Sequence, residues 1–136
     1  MPTFEPIVGR YISMVVAGDT VRIYVEEAGS GIPLVCLHTA GSDSRQFRHL
    51  MTDPSITDHY RVLAFDMPWH GKSNPPIGWR EIEYKLTTGL YKETVVAFCQ
   101  AMELNQPAIM GCSMGGRIVL HLALEYPDDY RAVIAL

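Results

Sequence analysis

Ser113 stands between two glycines in Gly111-Cys112-Ser113-Met114-Gly115, and no other stretch of the sequence is better suited to covalent chemistry. The apolar run Ala108-Ile109-Met110 precedes it, and a longer apolar run follows from Ile118. A strand that turns abruptly into a helix lifts the corner residue clear of the sheet, and glycines on either side leave room for so tight a turn. The helix begun in this way directs its free N–H groups and positive dipole end at the same residue. A serine so placed is a candidate nucleophile.

Serine needs a base, and the five histidines do not offer one by pattern. His121 falls two turns along the helix after Ser113 and reads as a packed helix residue. His38 follows an apolar strand and reads as a structural hydrogen-bonding group, and His70 lies in a loop. His49 and His59 have no partner motif. Asp66 reads as the organiser of its own loop through bonds to backbone N–H groups, while Asp128 and Asp129 read as solvated turn residues. No His, Cys or Glu cluster has metal-ligand spacing, and Gly111 to Gly116 lacks the pattern of a phosphate-binding loop, so no cofactor or metal is expected. Cys36, Cys99 and Cys112 are an odd number scattered through apolar segments, as expected of free thiols in a reducing cytoplasm.

The elements that must position Ser113 follow from hydrophobic periodicity. Ile12 to Ala17 and Thr20 to Ala28 read as a hairpin turning at Gly18-Asp19. In its second strand Val21, Ile23 and Val25 alternate with Arg22, Tyr24 and Glu26, which predicts one covered and one partly wet face. Pro33 to Leu37 and Tyr60 to Phe65 are apolar enough to be strands covered on both sides, as in a parallel sheet. Helices are expected from Ser44 to Leu50, from Tyr84 to Leu104, and from Met114 to Tyr126, the last largely buried. Strands are expected at 107–112 and 130–136. Repeated strand–helix–strand units imply a mostly parallel sheet flanked by helices, in which ligands bind at the carboxyl ends of the strands. Three segments end there: His38 to Gly41, Asp66 to Ser73, and Gly111 to Gly116.

Composition bounds the rest. The sequence has 136 residues, 48% of them hydrophobic, and a formal net charge of −4. That balance fits a globular domain and gives no support for nucleic-acid binding, and no basic run suggests an anionic membrane surface. Neither a signal-peptide pattern nor a membrane-spanning apolar run is present, so a cytoplasmic protein is expected.

With these segments in this order, the sequence resembles the amino-terminal half of an α/β-hydrolase-fold enzyme. Gly111-Cys112-Ser113-Met114-Gly115 resembles the nucleophile elbow, His38-Thr39-Ala40-Gly41 the oxyanion segment, and Asp66-Met67-Pro68-Trp69-His70-Gly71-Lys72-Ser73 the loop after the fourth strand. Thr39 and Trp69 each stand where the family usually has glycine. The resemblance implies a single domain over 1–136 holding the first six strands, the second antiparallel, with the lid and last strands absent. It implies that Ser113 attacks a carbonyl, that Ala40 and Met114 give oxyanion N–H groups, and that His38, Thr39, Gly41, Trp69 and Cys112 line the site. The expected substrate is a small molecule with an ester, lactone, thioester, amide or carbon–carbon bond beside a carbonyl. The triad acid and histidine are expected after Leu136, in the remainder of the polypeptide or a complementary chain. The alternatives are acyl transfer or perhydrolysis on the same elbow, and a non-enzymatic receptor or signalling protein of this fold.

Overall fold

A computed structural model describes all residues from 1 to 136. Six strands form one sheet in the order β1-β2-β4-β3-β5-β6. They are β1 (Val8–Val16), β2 (Asp19–Ala28), β3 (Ile32–Leu37), β4 (Tyr60–Phe65), β5 (Ala108–Gly111) and β6 (Ala132–Ala135). β2 runs antiparallel to both β1 and β4, and every other pairing is parallel. The connections carry a short 3-10 turn (Ser44–Phe47) running into α1 (Arg48–Met51), then α2 (Pro54–Thr57), α3 (Thr88–Ala101) and α4 (Met114–Glu125).

Period-two alternation splits the central strands between two cores. Val35, Leu37, Leu63, Phe65 and Ile109 face α3 and α4, meeting Val95, Phe98, Ile118 and Leu122. Leu34, Cys36, Val62, Ala64 and Ala108 face the other way, onto Phe47 and Met51. Phe65 stacks on Phe98 of α3 with ring centroids 4.4 Å apart. Two covered faces explain why β3 and β4 read as unbroken apolar runs.

Several elements depart from the sequence expectation, each for a physical reason. The hairpin turns at Ala17 and Gly18, both at positive φ (51° and 86°), one residue earlier than Gly18-Asp19, and β1 begins at Val8. Two consecutive left-handed residues match the twist of the flanking strands, as two-residue hairpin turns require. The second face of β2 is wet at Arg22 but covered at Tyr24 and Glu26. Glu26 is 2% exposed, and its carboxylate accepts from Arg48 Nε at 3.0 Å and Nη2 at 2.5 Å and from the Tyr24 hydroxyl at 3.1 Å. The Arg48 hydrogen bonds outweigh the burial and hold the Glu26 pKa below the ordinary glutamate value.

α3 starts at Thr88 rather than Tyr84, because the Thr87 hydroxyl caps it by accepting from Leu90 N–H at 3.0 Å. Tyr84 instead belongs to the loop that flanks the site. α4 is not largely buried either: Leu120 and Leu124 are 53% and 81% exposed.

Candidate active site

Parallel register places the three strand-end segments side by side. Leu37 pairs with Gly111 at the ends of β3 and β5, and β4 lies on the other side of β3. Cys112 N–H donates to the Leu37 carbonyl at 3.2 Å, which ties the turn after β5 to the end of β3.

The turn itself is a strained corner. Ser113 has φ 54° and ψ −110°, a conformation side-chain-bearing residues rarely adopt and one that costs roughly 1–3 kcal/mol. Surrounding contacts hold it there. Ser113 N–H donates to the Leu136 carbonyl at 2.8 Å, Gly115 N–H to the Cys112 carbonyl at 2.9 Å, and Arg117 N–H to the Ser113 carbonyl at 3.0 Å. A Cβ on Gly111 would meet the Gly115 carbonyl at 2.2 Å, and one on Gly115 would lie 2.4 Å from the Leu37 oxygen. Gly116, not singled out from the sequence, is constrained as well, since a Cβ there would lie 2.7 Å from the Leu136 oxygen. The doubled glycine was the available signal. Ser113 is left exposed at the head of α4.

Backbone hydrogen-bond accounting identifies the free donors nearby. Met114 N–H, in the first turn of α4, has no acceptor in the chain, and neither does Ala40 N–H in the exposed segment after β3. Thr39 N–H differs, since it donates to Gln46 Oε1 at 3.1 Å.

His38 fixes the base of that segment and is fully buried. Its Nε2 accepts from Met67 N–H at 3.1 Å, so Nδ1 carries the proton and donates to the Thr39 carbonyl at 2.7 Å. The buried Tyr91 hydroxyl donates to the His38 carbonyl at 2.9 Å. With both ring nitrogens engaged, His38 is neither a proton acceptor for Ser113 nor a wall of an open site. Burial, more than any neighbouring charge, pushes its pKa below the ordinary histidine value. The unfolded chain therefore binds a proton near pH 6.5 that the folded chain still refuses, and stability falls as pH drops below 6.5 toward the lower folded value. Denaturant unfolding between pH 7.5 and 5.5 is expected to show this loss, and His38→Gln to flatten it.

The loop after β4 is organised by Asp66, as the sequence suggests. The Asp66 carboxylate is buried and accepts from Ser44 N–H at 2.7 Å and Lys72 N–H at 2.8 Å. Gly71 is required because a Cβ there would sit 2.1 Å from Asp66 Oδ2. The Ser73 hydroxyl donates to the Asp66 carbonyl at 2.6 Å and accepts from Tyr24 N–H at 2.9 Å, locking the loop to β2. Within it, His70 N–H donates to the Met67 carbonyl at 3.0 Å across Pro68 and Trp69, and Trp69 has φ 70°. Proline followed by a left-handed residue is the arrangement of a type II turn, whose third position favours glycine.

Trp69 and Gly41 border a cleft of about 590 Å³ together with Ala40, His70 and Tyr84. Ser113, Thr39 and Cys112 are not among its walls. A second hollow of about 410 Å³, between Cys99, Pro107 and Tyr130, lies by the amino ends of β5 and β6, away from these loops. No group of three or more His, Cys, Asp or Glu could hold a metal ion. No helix is long and apolar enough to cross a membrane.

The family model described as alpha/beta hydrolase fold matches residues 32–136, which include all three loops. The chain belongs to the alpha/beta hydrolase fold family. Among its relatives is a 2-hydroxymuconate semialdehyde hydrolase from Pseudomonas sp. (strain CF600), 27% identical over 136 residues, covering 99% of this chain and 45% of that protein. The bifunctional epoxide hydrolase 2 of Sus scrofa is 37% identical over 117 residues, covering 85% of this chain and 20% of that protein. A solved haloalkane dehalogenase from Agrobacterium tumefaciens C58 superposes with a TM-score of 0.72 at 30% identity, covering 92% of this chain and 40% of that one. This alpha/beta hydrolase chain thus spans less than half the length of these relatives.

Proposed function

We propose that this alpha/beta hydrolase is a serine hydrolase acting on a small carbonyl compound through an acyl-enzyme at Ser113. The strained corner that holds Ser113 exposed at the head of α4, with acceptor-free N–H groups on Met114 and on Ala40 of the strand-end segment after β3, carries this reading. Ser113 Oγ forms a bond to the substrate carbonyl carbon while the carbonyl electron pair moves onto oxygen, where the two N–H groups receive it. Collapse of that intermediate expels the leaving group with the proton taken from Ser113. Water then repeats the sequence on the acyl-enzyme and restores the hydroxyl.

The nature of the nucleophile also selects among the chemistries named for its relatives. Opening an epoxide or displacing a halide with Ser113 would leave an alkyl ether, with no carbonyl for water to attack. Acyl transfer leaves an ester, which water can cleave. Carbonyl chemistry therefore suits this elbow better than either alternative.

The general base comes, on this reading, from residues after Leu136. His38 does not supply it, because both of its ring nitrogens are occupied. A fluorophosphonate probe applied to the full chain is expected to label Ser113, with labelling lost in Ser113→Ala. No labelling of the folded wild-type chain would favour a non-enzymatic member of the fold. Partition of product toward an added alcohol or peroxide would mark a transferase or perhydrolase instead.

A further inference from the structure

We infer that the cleft between Trp69 and the Ala40-Gly41 segment is a specificity subsite that receives an uncharged aryl group of the substrate, with Trp69 and Tyr84 as its walls. This rests on the acyl-transfer reading of Ser113 and adds the substrate class to it. The first observation is the backbone at Trp69. Its φ of 70°, at the third position of the Pro68 turn, is one that glycine adopts freely and a bulky residue does not. A tryptophan held there against its backbone preference points to a role for the ring.

The second observation is how that ring is fixed. Trp69 meets Trp79 edge to face, with centroids 5.9 Å apart at 90°, and Tyr84 with centroids 5.4 Å apart at 63°. Such pairs hold an aromatic plane in place at little conformational cost on binding. Trp69 remains only half-buried and Tyr84 is exposed, and both border the cleft. The third is position: Ala40, the proposed oxyanion donor, borders the same cleft. A carbonyl held at Ala40 is therefore held at a residue of the cleft wall.

Charge sets the chemical class. Asp43 is the one acidic residue of the cleft wall, and Arg45 Nε and Nη2 neutralise it with two hydrogen bonds of 2.8 Å. Trp69 and Tyr84 thus offer aromatic surface beside a wall whose one carboxylate is already paired, so the cleft holds neither a free cation to bind a carboxylate nor a free carboxylate to bind a cation. The volume, about 590 Å³, is in the range of small-molecule pockets.

The test is calorimetric binding of methyl phenylacetate and methyl butyrate to the full chain carrying Ser113→Ala, which removes turnover from the measurement. The aryl ester is expected to bind about tenfold more tightly than the alkyl ester. Adding Trp69→Gly, which relieves the backbone, should weaken the aryl ester about tenfold and the alkyl ester by less than about twofold, while Trp69→Phe keeps most of the preference. Equal weakening of both esters, no preference for the aryl ester, or tighter binding of a trimethylammonium ester would overturn the assignment. Because binding does not need the nucleophile, failure here is distinct from failure of Ser113 to label.

Discussion

Ser113→Ala is expected to lower kcat of the full chain by on the order of 10⁵–10⁶ while leaving KM and thermal stability near their wild-type values. The loss is this large because nucleophile, base and oxyanion donors act as a unit, and what survives is only binding and electrostatic stabilisation by the N–H groups. Stability should hold because alanine meets the same backbone strain at φ 54° that serine does, and Ser113 is exposed. Ser113→Gly separates the two roles further. It should be as inactive as the alanine variant yet more stable, by about 1 kcal/mol, because glycine removes the strain. Steady-state kinetics on an aryl ester, with a thermal melt on each variant, checks both parts. Residual activity above a thousandth of wild type in Ser113→Ala would place the nucleophile elsewhere.

The second large effect is Gly111→Ala, which is expected to destabilise the fold by about 4 kcal/mol or more. All three atoms nearest the added methyl are backbone: Gly115 C and O at 2.2 Å and Gly116 N at 2.7 Å. No side chain can rotate aside, so either β5 or the start of α4 must move, and the Ser113 corner opens with it. Gly18→Ala provides the contrast. Gly18 has φ 86° but nothing within 4 Å, so it incurs only the left-handed backbone penalty, about 1–2 kcal/mol. Urea unfolding of both variants should separate a steric lock from a conformational preference. Equal destabilisation of the two would show that the glycine pair serves only the turn.

The sequence made much of this visible because the site is built from backbone, and backbone demands glycine, proline and short polar residues at fixed places. Asp66, Gly71 and Ser73 each have a geometric partner, so their pattern could be read as an organised loop without coordinates. Gly111, Ser113 and Gly115 were legible for the same reason. What escaped depends on contacts remote in sequence. Glu26 looked solvent-facing until α1 brought Arg48 over the second face of β2. Leu120 and Leu124 looked buried because an apolar residue advertises its preference for burial but not whether a neighbour is present to satisfy it. Tyr84 looked like the first turn of α3, although it packs against Trp69. Thr87, as the cap, was the local residue that could have marked that boundary.

The bond from Ser113 N–H to the Leu136 carbonyl has a consequence in time as well as in space. β6 registers on β5 through Leu136 N–H to the Gly111 carbonyl, 2.9 Å, and the same Leu136 oxygen lies against Gly116. The corner that presents the serine is therefore completed by a residue the ribosome adds well after it. During synthesis, Ser113 N–H has no Leu136 carbonyl to donate to until β6 arrives and docks. The geometry of this corner is thus one of the last properties this part of the protein acquires, and a nascent chain stalled before Leu136 lacks the carbonyl that holds Ser113 N–H.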